Sequence, residues 1–171
     1  MATRRHGEHG GKGELLFLPT RSMGMRRTEM PIPSARDINP IPENLDGQYA
    51  VRHFLGRTFE EAIELFRERF EVYAGDLIHM GIVAFKYYVP AAIQFANSDA
   101  ARYDCAIART LLGVLDHRCL YEREQLSDLS GLFRDYCNSV LDRIAQMDRV
   151  FAPDYRLERQ MRQFLESLDT D

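Results

Sequence analysis

The least polar stretch of the chain, AFKYYVPAAIQFA at residues 84–96, limits the folds that the sequence can adopt. If the stretch is helical, its polar positions fall three or four residues apart and form one narrow stripe. These positions are Lys86, Pro90, Gln94 and, just beyond the stretch, Asn97. Everything else around the helix is apolar or aromatic, which is typical of a central helix that is buried on nearly every side. The stretch therefore predicts the core of a helical domain.

The proline in this helix needs an explanation of its own. Pro90 has no amide donor and disrupts the hydrogen bond to the carbonyl of Lys86. Because Pro90 shares the polar stripe, we expect the freed carbonyl to face water and the helix to bend without breaking. The alternative is two helices, with Pro90 in the first turn of the second. A membrane-spanning helix needs about 20 predominantly apolar residues, so this shorter stretch, with its lysine, predicts no membrane segment.

Four other segments carry apolar residues at helical spacing, and none shows the alternation that is typical of a strand. Their apolar positions are Phe59, Ala62, Ile63, Phe66 and Phe70; Tyr103, Ile107, Leu111, Val114 and Leu115; Leu129, Leu132, Phe133, Tyr136, Val140, Ile144, Met147 and Phe151; and Tyr155, Leu157, Met161, Phe164, Leu165 and Leu168. The first segment begins with a capping box of Thr58 and Glu61 and is predicted to end at Gly75. Ser98 and Asp99 are predicted to cap the second. The sequence therefore predicts an all-α fold, a single bundle of about five helices.

The N-terminal part of the chain has a different composition. Residues 1–47 hold five of the seven prolines and six of the eleven glycines. We expect residues 1–47 to form a disordered or extended N-terminal arm and residues 48–171 to form the all-α helical domain. The spaced prolines of the lead-in PIPSARDINPIPENLDG favour extended backbone there. Ile38 and Ile41 are the predicted anchors of this lead-in on the domain.

The net charge of −4 hides an asymmetry along the chain. Residues 1–30 hold six basic and three acidic side chains, so residues 31–171 carry a net charge of −7. An acidic domain repels the phosphates of nucleic acid, and this argues against a nucleic-acid partner. A basic protein would instead be attracted to it. The charge distribution therefore predicts a protein partner of basic character.

The three cysteines, Cys105, Cys119 and Cys137, are an odd number and include no close pair. This usage indicates a reducing compartment, so we expect a cytoplasmic protein whose thiols are buried in the core. No cysteine has a neighbouring ligand at zinc spacing, and the chain has no glycine-rich phosphate loop. The sequence therefore predicts neither a metal site nor a cofactor.

The residues best suited to chemistry or binding lie around the start of the apolar helix. Asp76 and His79 are three apart, a spacing at which a carboxylate can orient an imidazole for general base catalysis. The same spacing also occurs in ordinary surface pairs. Lys86 and Tyr87 lie on the edge of the apolar helix, whereas Tyr88 points inward and is expected to hydrogen-bond another helix. Asp76, His79, Lys86 and Tyr87 are therefore the candidate contacts with a partner or ligand.

Within residues 50–97, the blocks HFLGRTFEEAIELF and AFKYYVPAAIQFA resemble a pattern in small uncharacterised bacterial proteins. In that pattern a capped helix is followed by a segment of the form A-F-R-Y-Y-L-P-A. The matching positions are Phe54, Leu55, Gly56, Glu61, Ala62, Phe66, Ala84, Phe85, Tyr87, Tyr88, Pro90 and Ala91, with Lys86 in place of arginine and Val89 in place of leucine. The resemblance implies a bacterial origin and a helical domain, and it implies no activity.

Two functions of different classes agree with these features. The first is a protein-binding module, immunity-like or regulatory, whose acidic helical surface engages its partner. The second is an enzyme with an unrecognised site near the kinked helix at Pro90, formed by Asp76, His79 and Tyr87. The lack of a familiar catalytic arrangement favours the first and leaves the second open. A third idea, that the basic arm contacts nucleic acid, rests on two short arginine pairs.

Overall fold

The computed structural model describes residues 30–147 and 154–169, and all regular secondary structure in these ranges is helical. The elements are α1 (Ala35–Ile38), α2 (Leu45–Phe54), α3 (Phe59–His79), α4 (Ile82–Ala96), α5 (Cys105–Glu122), a 3-10 helix (Glu124–Leu129), α6 (Ser130–Met147) and α7 (Tyr155–Asp169). The predicted all-α fold is confirmed. The five predicted helices correspond to α3 to α7, and α1 and α2 are additional. The predictions for residues 1–29, for Phe151 and for the side chain of Met147 lie outside the described residues.

Helical structure begins earlier than predicted, within the lead-in that was expected to be extended. Ser34 and Asp37 form a capping box, in which the Asp37 carboxylate accepts hydrogen bonds from the Ser34 amide (2.8 Å) and hydroxyl (2.6 Å). The side chain of Asn44 caps α2 in the same region. Pro40 and Pro42 do not oppose these helices, because both lie in the turn between them. Local capping therefore outweighs the preference of the prolines for extended backbone.

The short helix α1 is held against the domain through a close backbone contact at Gly81. The Gly81 amide donates to the carbonyl of Ile38 (3.1 Å), and a Cβ at Gly81 would lie 2.5 Å from the carbonyl oxygen of Asp37. Ile38 is fully buried, so this predicted anchor is confirmed. Ile41 is 60% exposed, and its prediction as an anchor is wrong, because it lies in the turn after α1.

The long helix α3 begins where predicted and ends later. The Thr58–Glu61 capping box is confirmed, with the Glu61 carboxylate 2.9 Å from the Thr58 amide and the Thr58 hydroxyl 3.2 Å from the Glu61 amide. The predicted end at Gly75 is wrong, because Gly75 does not adopt the positive φ of a helix-terminating glycine and the helix continues to His79. Arg69 has φ −151° and ψ 77°, and α3 is kinked there.

The apolar helix α4 is continuous through Pro90, so the alternative of two separate helices is wrong. Pro90 is buried, and the prediction that it lies on a water-facing stripe is also wrong. The exposed face of α4 instead carries Val83, Gln94 and, at its C-terminal cap, Asn97. The proline ring adds apolar surface that the core accommodates, and this explains its inward position. Burial on nearly every side of α4 is as predicted.

Tyr88 joins α4 to the end of α2. Its side chain is fully buried, and its hydroxyl lies 2.9 Å from the carbonyl oxygen of Phe54 and 3.0 Å from that of Arg57. The ring packs on Phe54 with centroids 4.8 Å apart. Burial raises the pKa of Tyr88 far above its ordinary value. The predicted inter-helix hydrogen bond of Tyr88 is therefore confirmed.

The later helices follow the predicted stripes with local corrections. Asp104 caps α5 by accepting from two amides of the first turn, so the predicted cap at Ser98 and Asp99 is wrong. Tyr103 and Tyr155 are exposed rather than buried, because the first precedes the cap of α5 and the second is the first residue of α7. The buried members of the stripes are Leu111, Val114, Leu115, Phe133, Tyr136, Val140, Ile144, Leu157, Met161 and Phe164.

Arg118 fastens α5 to the junction of α3 and α4. Its Nη1 atom donates to the carbonyls of Ile78 (3.0 Å) and Met80 (2.7 Å), where α3 ends. Nη2 lies 2.6 Å from a carboxylate oxygen of Glu122, and the guanidinium carbon lies 4.5 Å from the centroid of the Phe85 ring. A positive charge at the C-terminus of a helix is favourable because it opposes the helix dipole. Arg118 therefore satisfies carbonyls that α3 leaves without partners.

Candidate functional site

A carboxylate and an imidazole meet between α2 and α3. Nδ1 of His53, in the last turn of α2, lies 2.7 Å from Oδ2 of Asp76, near the end of α3. The side chain of Asp76 is 10% exposed and that of His53 is 31% exposed. The His53 ring also meets the Tyr73 ring in a T-shaped contact, with centroids 5.1 Å apart and planes at 89°. Two contacts therefore fix the orientation of the imidazole.

Burial dominates the electrostatics of Asp76. It raises the pKa of the Asp76 carboxyl above the ordinary value, because the charged form loses solvation. The hydrogen bond from His53 and the nearby charges of His53 and His79 oppose this rise, and the charge of Asp46 adds to it. An ionised carboxylate can only accept, so Nδ1 of His53 is the nitrogen that donates and Nε2 is left for a proton or another partner.

His79 belongs to the same cluster but has a different neighbour from the one predicted. Its Nε2 atom lies 3.8 Å from Oδ2 of Asp46, at the start of α2, in a pair whose two side chains are both exposed. The carboxylate predicted to orient it, Asp76, is turned toward α2 and pairs with His53 instead. The spacing of Asp76 and His79 therefore places them in one cluster, but it does not make them a hydrogen-bonded pair. The chemistry that the geometry supports, a carboxylate holding an imidazole in one tautomer, belongs to Asp76 and His53.

Lys86 and Tyr87 lie outside this cluster. Nζ of Lys86 is 2.7 Å from Oδ1 of Asp128, so the lysine joins α4 to the 3-10 helix. Tyr87 is half-buried, and its ring meets that of Tyr88 with centroids 4.8 Å apart. Burial raises the pKa of Tyr87, a backbone hydrogen bond with Phe59 lowers it, and the charge of Glu60 raises it further. Tyr87 is therefore next to the first turn of α3.

The outward face of α3 is rich in carboxylates. The exposed side chains of α3 include five glutamates and two arginines. Three of the glutamates, Glu60, Glu64 and Glu68, are four residues apart on the part of α3 before its kink and form what we call the glutamate ridge. Glu64 lies 3.5 Å from Arg67 across one turn, in an exposed pair. Like charges four apart on a helix repel each other, so the ridge opposes helix formation slightly.

A groove of about 770 Å³ lies between α1 and α2. Its walls include Pro40, Pro42 and Val51, and two arginines, Arg36 and Arg52, also line it. Both arginines are exposed, and the structure shows no ion pair for either within its described ranges. No spacing or motif in the sequence marks these residues as a group.

The described residues contain no cluster of three or more histidine, cysteine or acidic side chains with the arrangement of a metal site. Cys119 and Cys137 are buried and Cys105 is half-buried, and all three are free thiols. Burial raises the pKa of each, to about 11 for Cys119 and to about 12 for Cys137. Both buried thiols are therefore protonated and poorly nucleophilic at neutral pH, as expected for core residues. Among the described helices, none has the length and apolar character needed to cross a bilayer.

Sequence reasoning missed His53 and Asp46. Both lie on α2, whereas their partners, Asp76 and His79, lie near the end of α3. Because the partners are far apart in the sequence, no short spacing marks either pair. The available signal was indirect. His53 and Asp46 are seven residues apart, two helical turns, and therefore share one face of α2. Recognising α2 as a helix would have placed them together.

Comparison with protein-family models, with characterised proteins and with solved structures found no match to this chain. The resemblance to small bacterial proteins in residues 50–97 therefore stays a prediction.

Proposed function

We propose that this chain is a cytoplasmic protein-binding module, immunity-like or regulatory, that engages a basic protein partner through the glutamate ridge of α3. The observation that carries the proposal is the ridge itself: Glu60, Glu64 and Glu68 are exposed and aligned on one face. Repulsion along the ridge is unfavourable in the free protein, and lysine or arginine side chains of a partner would relieve it. The net charge of −7 in residues 31–171 would attract such a partner from a distance.

Tyr87 extends the proposed surface beyond the charged residues. It is half-buried and close enough to Glu60 for that charge to raise its pKa. Tyrosine is enriched at protein interfaces because its ring is apolar and its hydroxyl can donate. Tyr87 thus adds an aromatic contact at the N-terminal end of the glutamate ridge.

The proposal is tested by capture of the partner from the native host at low salt. A C-terminally tagged chain is compared with the triple variant Glu60→Gln, Glu64→Gln, Glu68→Gln. The matched control, Asp116→Asn, Asp135→Asn, Asp142→Asn, removes three exposed carboxylates from α5 and α6. We expect a basic protein to be retained in stoichiometric amount by the wild type and the control and lost by the ridge variant. Raising NaCl from about 50 mM to about 500 mM should release it.

Retention of the partner by the ridge variant at the control's level would overturn the proposal. So would retention that is the same at both salt concentrations, because contacts between exposed charges are screened by salt. Identification of the retained protein by mass spectrometry shows whether it is basic.

The contact between His53 and Asp76 favours an enzyme as the second candidate. A buried carboxylate that fixes an imidazole tautomer leaves Nε2 available as a general base. If the chain is an enzyme, His53→Gln should abolish turnover in a screen of ester, amide and phosphoester substrates. His117→Gln, which changes an exposed histidine on α5, should not. Equal activity of the two variants would remove this candidate.

A further inference from the structure

Arg36 and Arg52 face a common groove from two different elements. Arg36 lies in α1 and Arg52 in the second half of α2, and both line the groove of about 770 Å³. Many other arginines of the domain form an ion pair. Those within 4.0 Å of a carboxylate include Arg57, Arg67, Arg102, Arg109, Arg134 and Arg162. Carboxylates outnumber basic side chains in residues 31–171, yet these two guanidinium groups form no ion pair within the described ranges.

The carboxylate next to Arg36 in the sequence is already engaged elsewhere. Asp37, next to Arg36, is held by the Ser34 amide and hydroxyl in the capping box of α1. The charge of Arg36 helps to lower the pKa of Asp37, but no ion pair forms between them. Arg52 places its guanidinium carbon 5.2 Å from the centroid of the Tyr49 ring, a cation–π contact that leaves its hydrogen-bond donors without a carboxylate. The groove therefore combines two available guanidinium groups with apolar walls.

We propose that this groove binds a short, extended, acidic segment of a partner protein, in which carboxylates alternate with apolar side chains. The planar guanidinium group pairs with a carboxylate through two parallel hydrogen bonds, and Arg36 and Arg52 offer two such positions. Pro40, Pro42 and Val51 supply apolar walls for the flanking side chains. The volume lies within the range of about 300–1,000 Å³ that is usual for ligand clefts.

Charge complementarity selects a peptide over a longer polyanion. Nucleic acid would carry phosphates beyond the groove, where residues 31–171 have a net charge of −7 and would repel them. In a short segment the two carboxylates meet only the arginines, and no further negative charge extends beyond the groove. This proposal does not depend on the glutamate ridge, because it uses α1 and α2 and requires a partner of opposite charge.

The test uses a rhodamine-labelled library of decapeptides in one leucine- and isoleucine-containing background, with zero to three aspartates or glutamates at varied positions. Each acidic peptide has a counterpart with asparagine or glutamine at the same positions. Binding to the full chain is measured by fluorescence anisotropy at low salt. The double variant Arg36→Ala, Arg52→Ala is compared with Arg156→Ala, Arg159→Ala, which removes two exposed arginines of α7 and changes the net charge equally.

We expect peptides with two carboxylates to bind about tenfold or more tightly than their amide counterparts, since a charged hydrogen bond of this kind is worth about one decade in Kd. The groove variant should lose this difference and the α7 variant should keep it, while circular dichroism shows both to be folded. The proposal is overturned if acidic and amide peptides bind alike. It is also overturned if the two arginine variants weaken binding equally, because the attraction would then depend on overall charge alone.

Discussion

Arg118 carries a positive charge into the core, and its contacts make its loss costly to the domain. It binds the carbonyls of Ile78 and Met80 and pairs with Glu122. Burial lowers the pKa of its guanidinium, but the group stays charged in the ordinary pH range. Removing one partner of a buried ion pair leaves the other charge buried without a counter-charge. The resulting loss of stability is larger than the stability that the intact pair contributes.

We therefore expect Arg118→Met to lower the free energy of unfolding by about 2–4 kcal/mol, since it leaves two carbonyls without their donor and the Glu122 carboxylate without its ion-pair partner. The control is Arg109→Met, also on α5, whose pair with Asp154 is exposed and should be worth less than about 1 kcal/mol. Urea unfolding followed by circular dichroism measures both. Equal losses would show that Arg118 does not hold α5 to the end of α3.

Asp76 makes the stability of the domain fall as the pH rises, which is the opposite of what a carboxyl group with a lowered pKa does. Its pKa is raised in the folded state, so the folded chain binds this proton more tightly than the unfolded chain does. The stability that Asp76 contributes is therefore fully present below about pH 3.8, and it is lost as the pH rises through the raised pKa. His53 limits the loss because it donates to the ionised form.

We expect the wild type to lose stability relative to Asp76→Asn as the pH rises through this interval. Urea unfolding of both proteins at a series of pH values measures the difference, and NMR titration of the Asp76 carboxyl locates the interval. Asp142→Asn, at an exposed position on α6, is the control. A difference that grows in favour of the wild type with rising pH would contradict the raised pKa.

At the scale of the element, the attachment of α1 depends on the missing side chain of Gly81. We expect Gly81→Ala to lower the free energy of unfolding by about 1–3 kcal/mol, since its Cβ would lie 2.5 Å from the Asp37 carbonyl oxygen and would force the two backbones apart. Gly113→Ala is the matched control. Gly113 is exposed in the middle of α5 with no atom within 4 Å of a Cβ, so alanine there should add about 0.5–1 kcal/mol. Denaturant unfolding compares the two, and a loss of the same size at Gly113 would refute the role of the close contact.

The helices themselves could largely be predicted, because their signals are local. The Thr58–Glu61 capping box and the buried stripe of α6 depend on residues within a few positions of each other. The helix ends were harder to predict. Gly75 and Ser98 are residue types that often end or cap a helix, but α3 continues past Gly75 and α5 is capped by Asp104. The inward position of Pro90 was also missed, because its ring can pack as an apolar group as well as mark a kink.

At the scale of the whole molecule, one apolar core joins the first described helix to the last. Ile38 of α1 and Phe164 of α7 belong to the same cluster of buried residues. We therefore expect a single cooperative unfolding transition, in which helix content at 222 nm and the near-ultraviolet signal of tyrosine change together. The chain has no tryptophan, so buried tyrosines such as Tyr88 and Tyr136 report the tertiary structure. Two separated transitions would show that the core is divided.

Only half of the candidate site could be predicted from the sequence, because its residues are far apart along the chain. Asp76 and His79 were found by their spacing, but the partner of Asp76 lies 23 positions away on α2. The groove with Arg36 and Arg52 was missed for the same reason, since it exists only once α1 has folded back beside α2. Contacts of this kind depend on how helices pack, which the apolar stripes do not specify.

The position of Arg118 also has a consequence for the order in which the domain is assembled during synthesis. The residues of α3 and α4, joined by the short link at Met80 and Gly81, emerge from the ribosome before those of α5. The two helices can therefore pair early as a hairpin, because closing so short a loop costs little entropy. The carbonyls of Ile78 and Met80 then remain hydrated until Arg118 emerges and replaces the water. In the nascent chain, the end of α3 is thus completed by a residue of a helix that is translated later.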